Sequence, residues 1–510
     1  MAALGEGAGE PGSAVGAGVP PPGVAEAVAP PEQAARRKTS GSQSRSVSRA
    51  RMQNPTERRT YVRRETTLRG AWFPRAPYRC RVATPIAIQG ALITEREHRV
   101  PLDHGKPAGQ SITVFTRELA APDGLQRPYL VFLQGGPGFE AARPTSPPSG
   151  WMKRALRDYR ILLLDQRGTG RSTPVGRIPP GDTPAAQAAY LALFRADSIV
   201  RDCELIRREL GVEQWSVLGQ SFGGFTSLTY LSIAPDGLRE VFNTGGMTPI
   251  GRHVDDVYGA TYRRLLEKNE AYYTRYPEDR ARVDQIHRRL DDEDIRLPSG
   301  DRLTSRRFRQ LGLYLGDALG FELLHHVIEL PFGSNAFLHD AEQGVRFHRN
   351  PIYATLHESS YADGCATRWS ADRLLPDEVV AKRYFTAEHV FPWMWEDYGD
   401  LHGQRDVAQL LAEHPWPRLY DPDALARNRV PVACTIYVND LFVEREFALE
   451  TSAEVGNVRP WITNEYEHSA LRNDGERVLD RLIDLVRGRA YASGEPIFRG
   501  SAGRDPNRGR

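Results

Sequence analysis

Short apolar runs that end in glycine turns and alternate with amphipathic stretches constrain this chain more than any other feature. Four such runs follow one another, at residues 129–133, 160–164, 216–218 and 239–244. Between them, apolar residues from 199 to 210 recur at helical spacing, which predicts a helix with Asp197 at its N-cap. This alternation is typical of a mostly parallel sheet with helices on both faces.

The alternation of strands and helices is interrupted in the middle of the chain. Strand-like sequence occurs before the first run and returns only near the end, at residues 91–100, 111–119, 430–438 and 458–463. Residues 250–428 are long, charged and helical in pattern, and a last helix is predicted at 476–489. We therefore predict an α/β core formed by residues 73–249 and 429–495, with a mainly helical cap domain inserted at 250–428.

The first 72 residues differ in composition from the rest. Residues 1–35 are mostly Ala, Gly, Pro and Glu, and cannot offset the entropy lost on folding. Residues 36–69 are basic and rich in Ser. They have two interpretations, a nucleic-acid or membrane-surface arm and a solvated tail with Met52 as an alternative start, and we favour the tail. We predict a disordered basic extension at 1–72 and a disordered tail at 496–510.

Charge and cysteine content narrow the class of protein. Lys and Arg number 67 and Asp and Glu 65, so the whole chain is not a polyelectrolyte built for nucleic acid. No apolar run approaches the roughly 18–20 residues that cross a bilayer. Four scattered cysteines without metal or redox spacing indicate buried thiols in a reducing compartment: Cys80, Cys203, Cys365 and Cys434. We expect a cytoplasmic enzyme without a membrane segment.

Residues 219–223 read Gly-Gln-Ser-Phe-Gly between an apolar strand and a predicted helix. Small residues let the chain turn sharply there and expose the Ser221 hydroxyl above the sheet. The helix that follows supplies backbone donors and the positive end of its dipole. We predict Ser221 as a nucleophile, and the alternative is an ordinary structural turn.

A serine nucleophile needs a base, and the base needs a carboxylate that orients it. When the serine lies in such a turn, the acid and then the histidine are expected later in the chain. Asp440 and His468 each follow a predicted strand, at the sheet edge where crevices form in open α/β folds. The sequence therefore predicts a triad of Ser221, His468 and Asp440, with Glu444 as a competing acid.

Residues 134–138 read Gln-Gly-Gly-Pro-Gly after another strand. Glycine lets a backbone N–H approach a developing negative charge, so we predict an oxyanion hole formed by Gly136 and Phe222. The alternative for 134–138 is a plain tight turn. Residues 165–172 lack the ending of a P-loop and the spacing of a dinucleotide fingerprint, and we interpret them as a structural loop beside the active site.

Two histidine-containing stretches resemble metal sites but lack ligands. His357 begins a stretch like H-E-x-x-H, but Tyr361 stands where the second histidine belongs. His325, His326 and Glu329 lie on a helical stretch and indicate surface or packing roles. No cysteine pair has zinc spacing. We predict neither a metal nor an organic cofactor.

A family resemblance emerges from three motifs taken together, at residues 134–138, 165–172 and 219–224. They resemble the proline iminopeptidase (prolyl aminopeptidase) family of α/β-hydrolases, over about residues 85–490. Further segments are similar to its long-cap bacterial branch: residues 356–358, 366–371, 392–394, 416–421 and 463–468. The chain departs from the short-cap members at Gln134, where they have His. Oxyanion donors are backbone groups, so this change does not remove them.

The resemblance implies that cap carboxylates bind the free N-terminal amine of a substrate. Glu358 stands where the principal carboxylate is expected, and Glu388 is the candidate for the second. A terminal imino group is cationic at neutral pH, and a pocket that desolvates it needs the opposite charge. The alternative for both residues is a salt bridge with a cap arginine. Clustered aromatic residues are either a pocket for a pyrrolidine ring or core: Trp369, Phe391, Trp393 and Trp395.

The predicted function is that of a serine aminopeptidase releasing N-terminal proline from small peptides. One rival is a broader aminopeptidase, amidase or esterase on the same scaffold. A remote rival is a nucleic-acid-binding protein acting through residues 36–69, against which the intact Ser–Asp–His set argues. We therefore expect peptide substrates and no nucleic-acid partner.

Overall fold

The computed structural model describes residues 80–489, which form one twisted sheet flanked by helices. The predicted extension at 1–72 and tail at 496–510 lie outside these residues. The strands are β1 (Arg81–Val82), β2 (Ile86–Ile88), β3 (Ala91–Pro101), β4 (Ser111–Ala120), β5 (Tyr129–Leu133), β6 (Arg160–Asp165), β7 (Trp215–Gln220), β8 (Leu238–Thr244), β9 (Val432–Tyr437) and β10 (Val458–Thr463).

The helices lie between and after these strands. The α-helices are α1 (Gly150–Ala155), α2 (Pro184–Leu191), α3 (Ala196–Glu209), α4 (Phe222–Ile233), α5 (Val254–Arg275), α6 (Asp279–Asp292), α7 (Ser305–Arg309), α8 (Gly320–Glu329), α9 (Asn335–Gly344), α10 (Pro351–Leu356), α11 (Ser370–Arg373), α12 (Asp377–Ala381), α13 (Met394–Asp397), α14 (Arg405–Glu413), α15 (Pro422–Ala426), α16 (Arg445–Glu454), α17 (Ala470–Asn473) and α18 (Gly475–Val486). Short 3₁₀ segments are Ala192–Phe194, Pro235–Gly237, Gln310–Gly316, Glu358–Ser360 and His402–Gln404.

The sheet is antiparallel at one end and parallel over the rest. Its order is β1-β3-β4-β6-β5-β7-β8-β9-β10, with β2 also paired to β3. β3 pairs antiparallel with β4 and β4 with β6, and each neighbouring pair from β6 to β10 is parallel. Every residue of β5, β7 and β9 is buried, as parallel strands with helices on both faces must be. The predicted α/β-hydrolase core is confirmed.

Strand β5 shows how the two faces are filled. Successive side chains of a strand point to opposite faces. Val131 and Leu133 therefore pack into the cluster that contains α3 and α4, whereas Leu130 and Phe132 pack into the cluster that contains α1 and α18. A continuous apolar run is required because neither face of this strand meets water.

Helices α5 to α15 fill the chain between Thr244 and Val432, where the sheet has no strand. They enclose an apolar cluster of their own, which includes Tyr258, Leu265 and Phe308. Phe442, which follows β9, also packs into this cluster, so one core loop reaches into the helical part. No helix among residues 80–489 is both long enough and apolar enough to cross a bilayer.

Candidate active site

Ser221 lies in the sharp turn between β7 and α4. Its backbone has φ 55° and ψ −122°, a conformation that costs a residue with a side chain about 1–3 kcal/mol. The surrounding glycines are required by close approach, because a Cβ on Gly219 would overlap the Gly223 carbonyl and one on Gly223 would overlap the Leu133 carbonyl. The turn therefore rests tightly on the end of β5 and presents Ser221 at the start of α4.

Asp440 and His468 are brought together from the ends of β9 and β10. Asp440 Oδ2 lies 2.8 Å from His468 Nδ1, and both residues are buried. The backbone N–H groups of Phe442 and Val443 each donate to Asp440 Oδ1 at 2.9 Å. With its Nδ1–H donating to Asp440, His468 keeps Nε2 as a proton acceptor.

The pKa of His468 is higher than that of an ordinary histidine. Burial alone would lower it, but the Asp440 carboxylate and its hydrogen bond raise it, and Glu388 raises it further. The imidazolium that forms when a histidine takes a proton is therefore stabilised by two carboxylates.

Two glycines after β8 allow the serine and histidine loops to approach one another. A Cβ on Gly245 would lie 3.2 Å from His468 Nδ1, and one on Gly246 would lie 2.5 Å from the Ser221 carbonyl oxygen. We did not predict a role for these residues. The consecutive glycines at a strand end were the available signal.

Glu444, the competing acid, is engaged elsewhere, and so is Glu465, which lies close to His468 in the chain. Glu444 accepts the Glu446 N–H at 2.7 Å at the start of α16, and it also pairs with Arg264 at 3.1 Å. Glu465 is exposed and pairs with Arg477 at 2.7 Å. Asp440 thus faces the histidine, as expected, and Glu444 does not.

The loop at residues 134–138 lies against Ser221. A Cβ on Gly135 would be 3.1 Å from Ser221 Cβ. Phe222 is the first residue of α4, so its N–H has no acceptor within the helix. Gly136 is adjacent and adopts φ 130°. The prediction named Gly136 as a donor and did not weigh Gly135, which lies next to the serine.

The loop at 165–172 is held by a buried arginine. Arg167 donates to both oxygens of Asp202, at 2.6 and 2.7 Å, and to three backbone carbonyls. Gln166 Nε2 donates to the Gln134 carbonyl at 2.9 Å. The loop thereby supports residues 134–138, which agrees with the structural interpretation.

Glu358 is a buried carboxylate in the 3₁₀ segment after α10. Its Oε1 accepts the Ala371 N–H at 2.9 Å, and its Oε2 has no hydrogen-bond partner among residues 80–489. Burial raises the pKa of Glu358 to about 7, against the lowering effects of the Ala371 N–H, the Thr367 hydroxyl, the Ser370 N–H and the Arg373 charge. A buried acceptor without a donor is costly, so this oxygen is suited to an external cation.

Glu388 lies close to the predicted base. Tyr353 donates its hydroxyl to Glu388 Oε1 at 2.6 Å. The Glu388 charge contributes to the raised pKa of His468, and it adds to burial in raising those of Tyr258 and Tyr361. Neither Glu388 nor Glu358 forms a salt bridge within the described part of the chain, contrary to the alternative interpretation. We did not predict the surrounding tyrosines.

Comparison with known proteins places the chain in a family. Residues 128–316 match the alpha/beta hydrolase fold model. A proline iminopeptidase of Aeromonas sobria is 49% identical over 404 residues, which are 76% of this chain and 95% of that protein. The chain belongs to the proline iminopeptidase family. A second member, from Aspergillus aculeatus, is 35% identical over 78% of this chain and 94% of its own length.

The tryptophan-rich segments of this proline iminopeptidase family member form a cluster in the helical part. Trp369 contacts Trp395 with ring centroids 5.3 Å apart, and Phe391 stacks on Trp393 at 5.5 Å. Met394 and Tyr398 pack in the same cluster. These contacts favour the interpretation that the aromatic residues form a packed core and not a pocket for a pyrrolidine ring. The aromatic side chains around Glu388 are instead Tyr258, Tyr353 and Tyr361.

Two groups of side chains in the described range could reach a metal ion. One contains Cys80, His98 and Glu209, and His98 is already bonded through both ring nitrogens. The other contains Glu278, Asp279 and His325, whose Nδ1 lies 2.8 Å from Asp279. In each group the histidine is already hydrogen-bonded to a carboxylate of the same group. The expectation that no metal is needed stays a prediction.

Proposed function

We propose that this protein is a serine aminopeptidase that releases N-terminal proline from small peptides. The observation that carries the proposal is the unpaired Oε2 of Glu358, a buried acceptor in a family member that also has a Ser–His–Asp set. A cationic N-terminal imino group supplies the missing donor and the missing charge.

The proposed chemistry uses only groups of this chain. His468 Nε2 takes the proton of Ser221 Oγ, which attacks the carbonyl carbon of the first residue. Asp440 orients the imidazole and stabilises it when charged. The N–H groups of Phe222 and of Gly136 or Gly135 hold the oxyanion. His468 then protonates the leaving amine, and water, activated by the same histidine, hydrolyses the prolyl ester.

The proposed cap, residues 250–428, restricts the enzyme to the N-terminal residue of a peptide. Glu358 and Glu388 bind the imino group, and the tyrosines around Glu388 form the wall of its site. The site then accepts a substrate only when a free terminus reaches these carboxylates. All four cysteines are free thiols, which supports a reducing, cytoplasmic location; Cys203 and Cys434 are buried as expected, whereas Cys80 and Cys365 are partly exposed, contrary to the prediction.

Turnover of a substrate panel tests this function. We expect prolyl-naphthylamide to be cleaved with a kcat/KM well above that of alanyl-naphthylamide, and simple esters to be poorer still. Equal rates on the prolyl and alanyl substrates indicate a broader aminopeptidase. A preference for esters indicates the rival hydrolase.

A further inference from the structure

The cap reaches the predicted base through one short segment. Gly316, the last residue of the 3₁₀ segment Gln310–Gly316, is buried, and its carbonyl accepts the backbone N–H of His468 at 3.2 Å. The backbone of the histidine loop is therefore fixed in part by a residue from outside the sheet.

Phe442 connects Gly316 to both the histidine and the aspartate. Its ring stands edge-on to the His468 imidazole, with centroids 5.1 Å apart and planes at 90°. Its N–H is one of the two backbone donors to Asp440 Oδ1. The tip of the ring points at Gly316, because a Cβ on Gly316 would overlap the ring atoms Cε2 and Cζ.

Residue 316 must be glycine because there is no space for a side chain. Gly316 is not among the residues with positive φ, so its backbone is accessible to alanine. A methyl group there must displace the Phe442 ring. Phe442 is 6% exposed, and its ring lies between the cap cluster and His468. Close-packed interiors do not absorb such a change without moving a neighbour.

Two further contacts hold the same loops from the cap side. Lys268 of α5 pairs with Glu467, the residue before His468, at 2.7 Å. Tyr361 donates its hydroxyl to the Phe442 carbonyl at 3.2 Å. These contacts hold the backbone of both loops, so a displaced Phe442 ring must find room among its neighbours, one of which is the His468 imidazole.

We propose that Gly316 is a positioning residue: its missing side chain lets Phe442 hold the His468 imidazole in line with Asp440 and Ser221. The proposal rests on the proposed function, since it takes His468 as the base. It predicts that the cap both covers the site and sets the geometry of the triad.

The test compares Gly316→Ala, Phe442→Leu and the double variant in the full chain. We expect Gly316→Ala to lower kcat on a prolyl substrate by about 100-fold, the effect of a displacement near 1 Å, with KM within about threefold. The double variant should return to the kcat of Phe442→Leu, because leucine leaves room for the new methyl. Gly259→Ala in α5 is the matched control, since its Cβ meets no atom closer than 3.9 Å.

A small phosphonofluoridate separates positioning from substrate binding. It phosphonylates a serine with loss of fluoride, and it needs the histidine but not the amine site. We expect Gly316→Ala to slow phosphonylation by a similar factor. The proposal is overturned if Gly316→Ala is phosphonylated at the wild-type rate, if its kcat is unchanged, or if Phe442→Leu does not restore its kcat. If Gly316→Ala alone does not fold, the double variant decides the test. The proposal is overturned if the double variant also fails to fold, or if its kcat lies far below that of Phe442→Leu. A wild type without prolyl turnover refutes the proposed function instead.

Discussion

Ser221 combines a positive φ with a position at the start of a helix, beside the glycines that let the serine and histidine loops approach one another. Changing Ser221 to Ala should preserve the fold and lower kcat by about a million-fold, as loss of the nucleophile does in serine hydrolases. Changing Asp440 to Asn should cost about ten-thousand-fold, because the base remains but in the wrong tautomer. Steady-state kinetics checks both, and a Ser221→Ala variant with a tenth of the wild-type turnover refutes the assignment.

Two groups of the site, Glu358 and His468, have raised pKa values, and both bind a proton as the pH falls. Glu358 has a pKa of about 7, and the pKa of His468 lies above its ordinary value. Both must be unprotonated in the free enzyme, so kcat/KM should fall below neutral pH with a logarithmic slope approaching two. Glu358→Gln should reduce that slope to about one. A slope of one in the wild type would remove Glu358 from the amine site.

At the scale of single residues, the pairing of Asp440 with His468 could be predicted, and the state of the cap carboxylates could not. Asp440 and His468 each follow a recognisable strand, so chain order and strand ends locate them. Whether Glu358 meets an arginine depends on contacts between distant segments. Its free Oε2 is a property of the packed cap, and the sequence holds no local signal for it.

At the scale of elements, helix α5 is tied to the histidine loop by one ion pair. Lys268→Met leaves Glu467 without its cation in a largely buried position. Burial raises the pKa of Glu467 while Lys268 lowers it, so removing the lysine raises that pKa further. Without the lysine, the Glu467 side chain is tolerated when it is protonated and neutral. The loss of folding stability therefore grows as the pH rises and the side chain ionises. We expect a loss of about 1–3 kcal/mol at pH 8, the cost of leaving a partly buried polar group without its partner, and a smaller one at pH 5.

Thermal unfolding at the two pH values measures this loss. Glu467→Gln added to Lys268→Met should recover most of the stability at pH 8, because no charge is left unpaired. Lys153→Met is a matched control, since its pair with Glu476 is exposed and should contribute little. Equal losses at pH 5 and pH 8 would contradict this account of Glu467.

Strand positions followed from the sequence, whereas helix ends and loop contacts did not. Buried parallel strands are continuous apolar runs, so β5 lies where it was predicted, and the partly exposed edge strand β10 also has its predicted bounds. The prediction that Asp197 caps α3 is wrong: Arg195 occupies the N-cap, and Asp197 pairs with Arg201 one turn on, at 2.5 Å. Salt bridges along a helix compete for the same carboxylates that cap helices.

At the scale of the whole molecule, the inserted helices meet the sheet domain at the predicted catalytic loops. Asn350 Nδ2 donates to the Gly138 carbonyl at 2.7 Å beside the predicted oxyanion loop, and Gly316 accepts the His468 N–H. An inserted cap was predictable from the interrupted strand pattern. These contacts were not, because they join residues far apart in the chain and end on backbone carbonyls, which carry no sequence signal.

The central claim, that the site recognises a free N-terminal imino group, is tested most directly by acetylating that nitrogen. The wild-type protein should cleave prolyl-naphthylamide and lose most activity on N-acetyl-prolyl-naphthylamide, because the cation is gone and the acyl group meets the cap. Glu358→Gln should lower kcat/KM for the free substrate by roughly 30- to 5000-fold, while phosphonylation of Ser221 is unchanged. Cleavage of the acetylated substrate as fast as the free one would contradict the aminopeptidase account and favour an amidase or esterase.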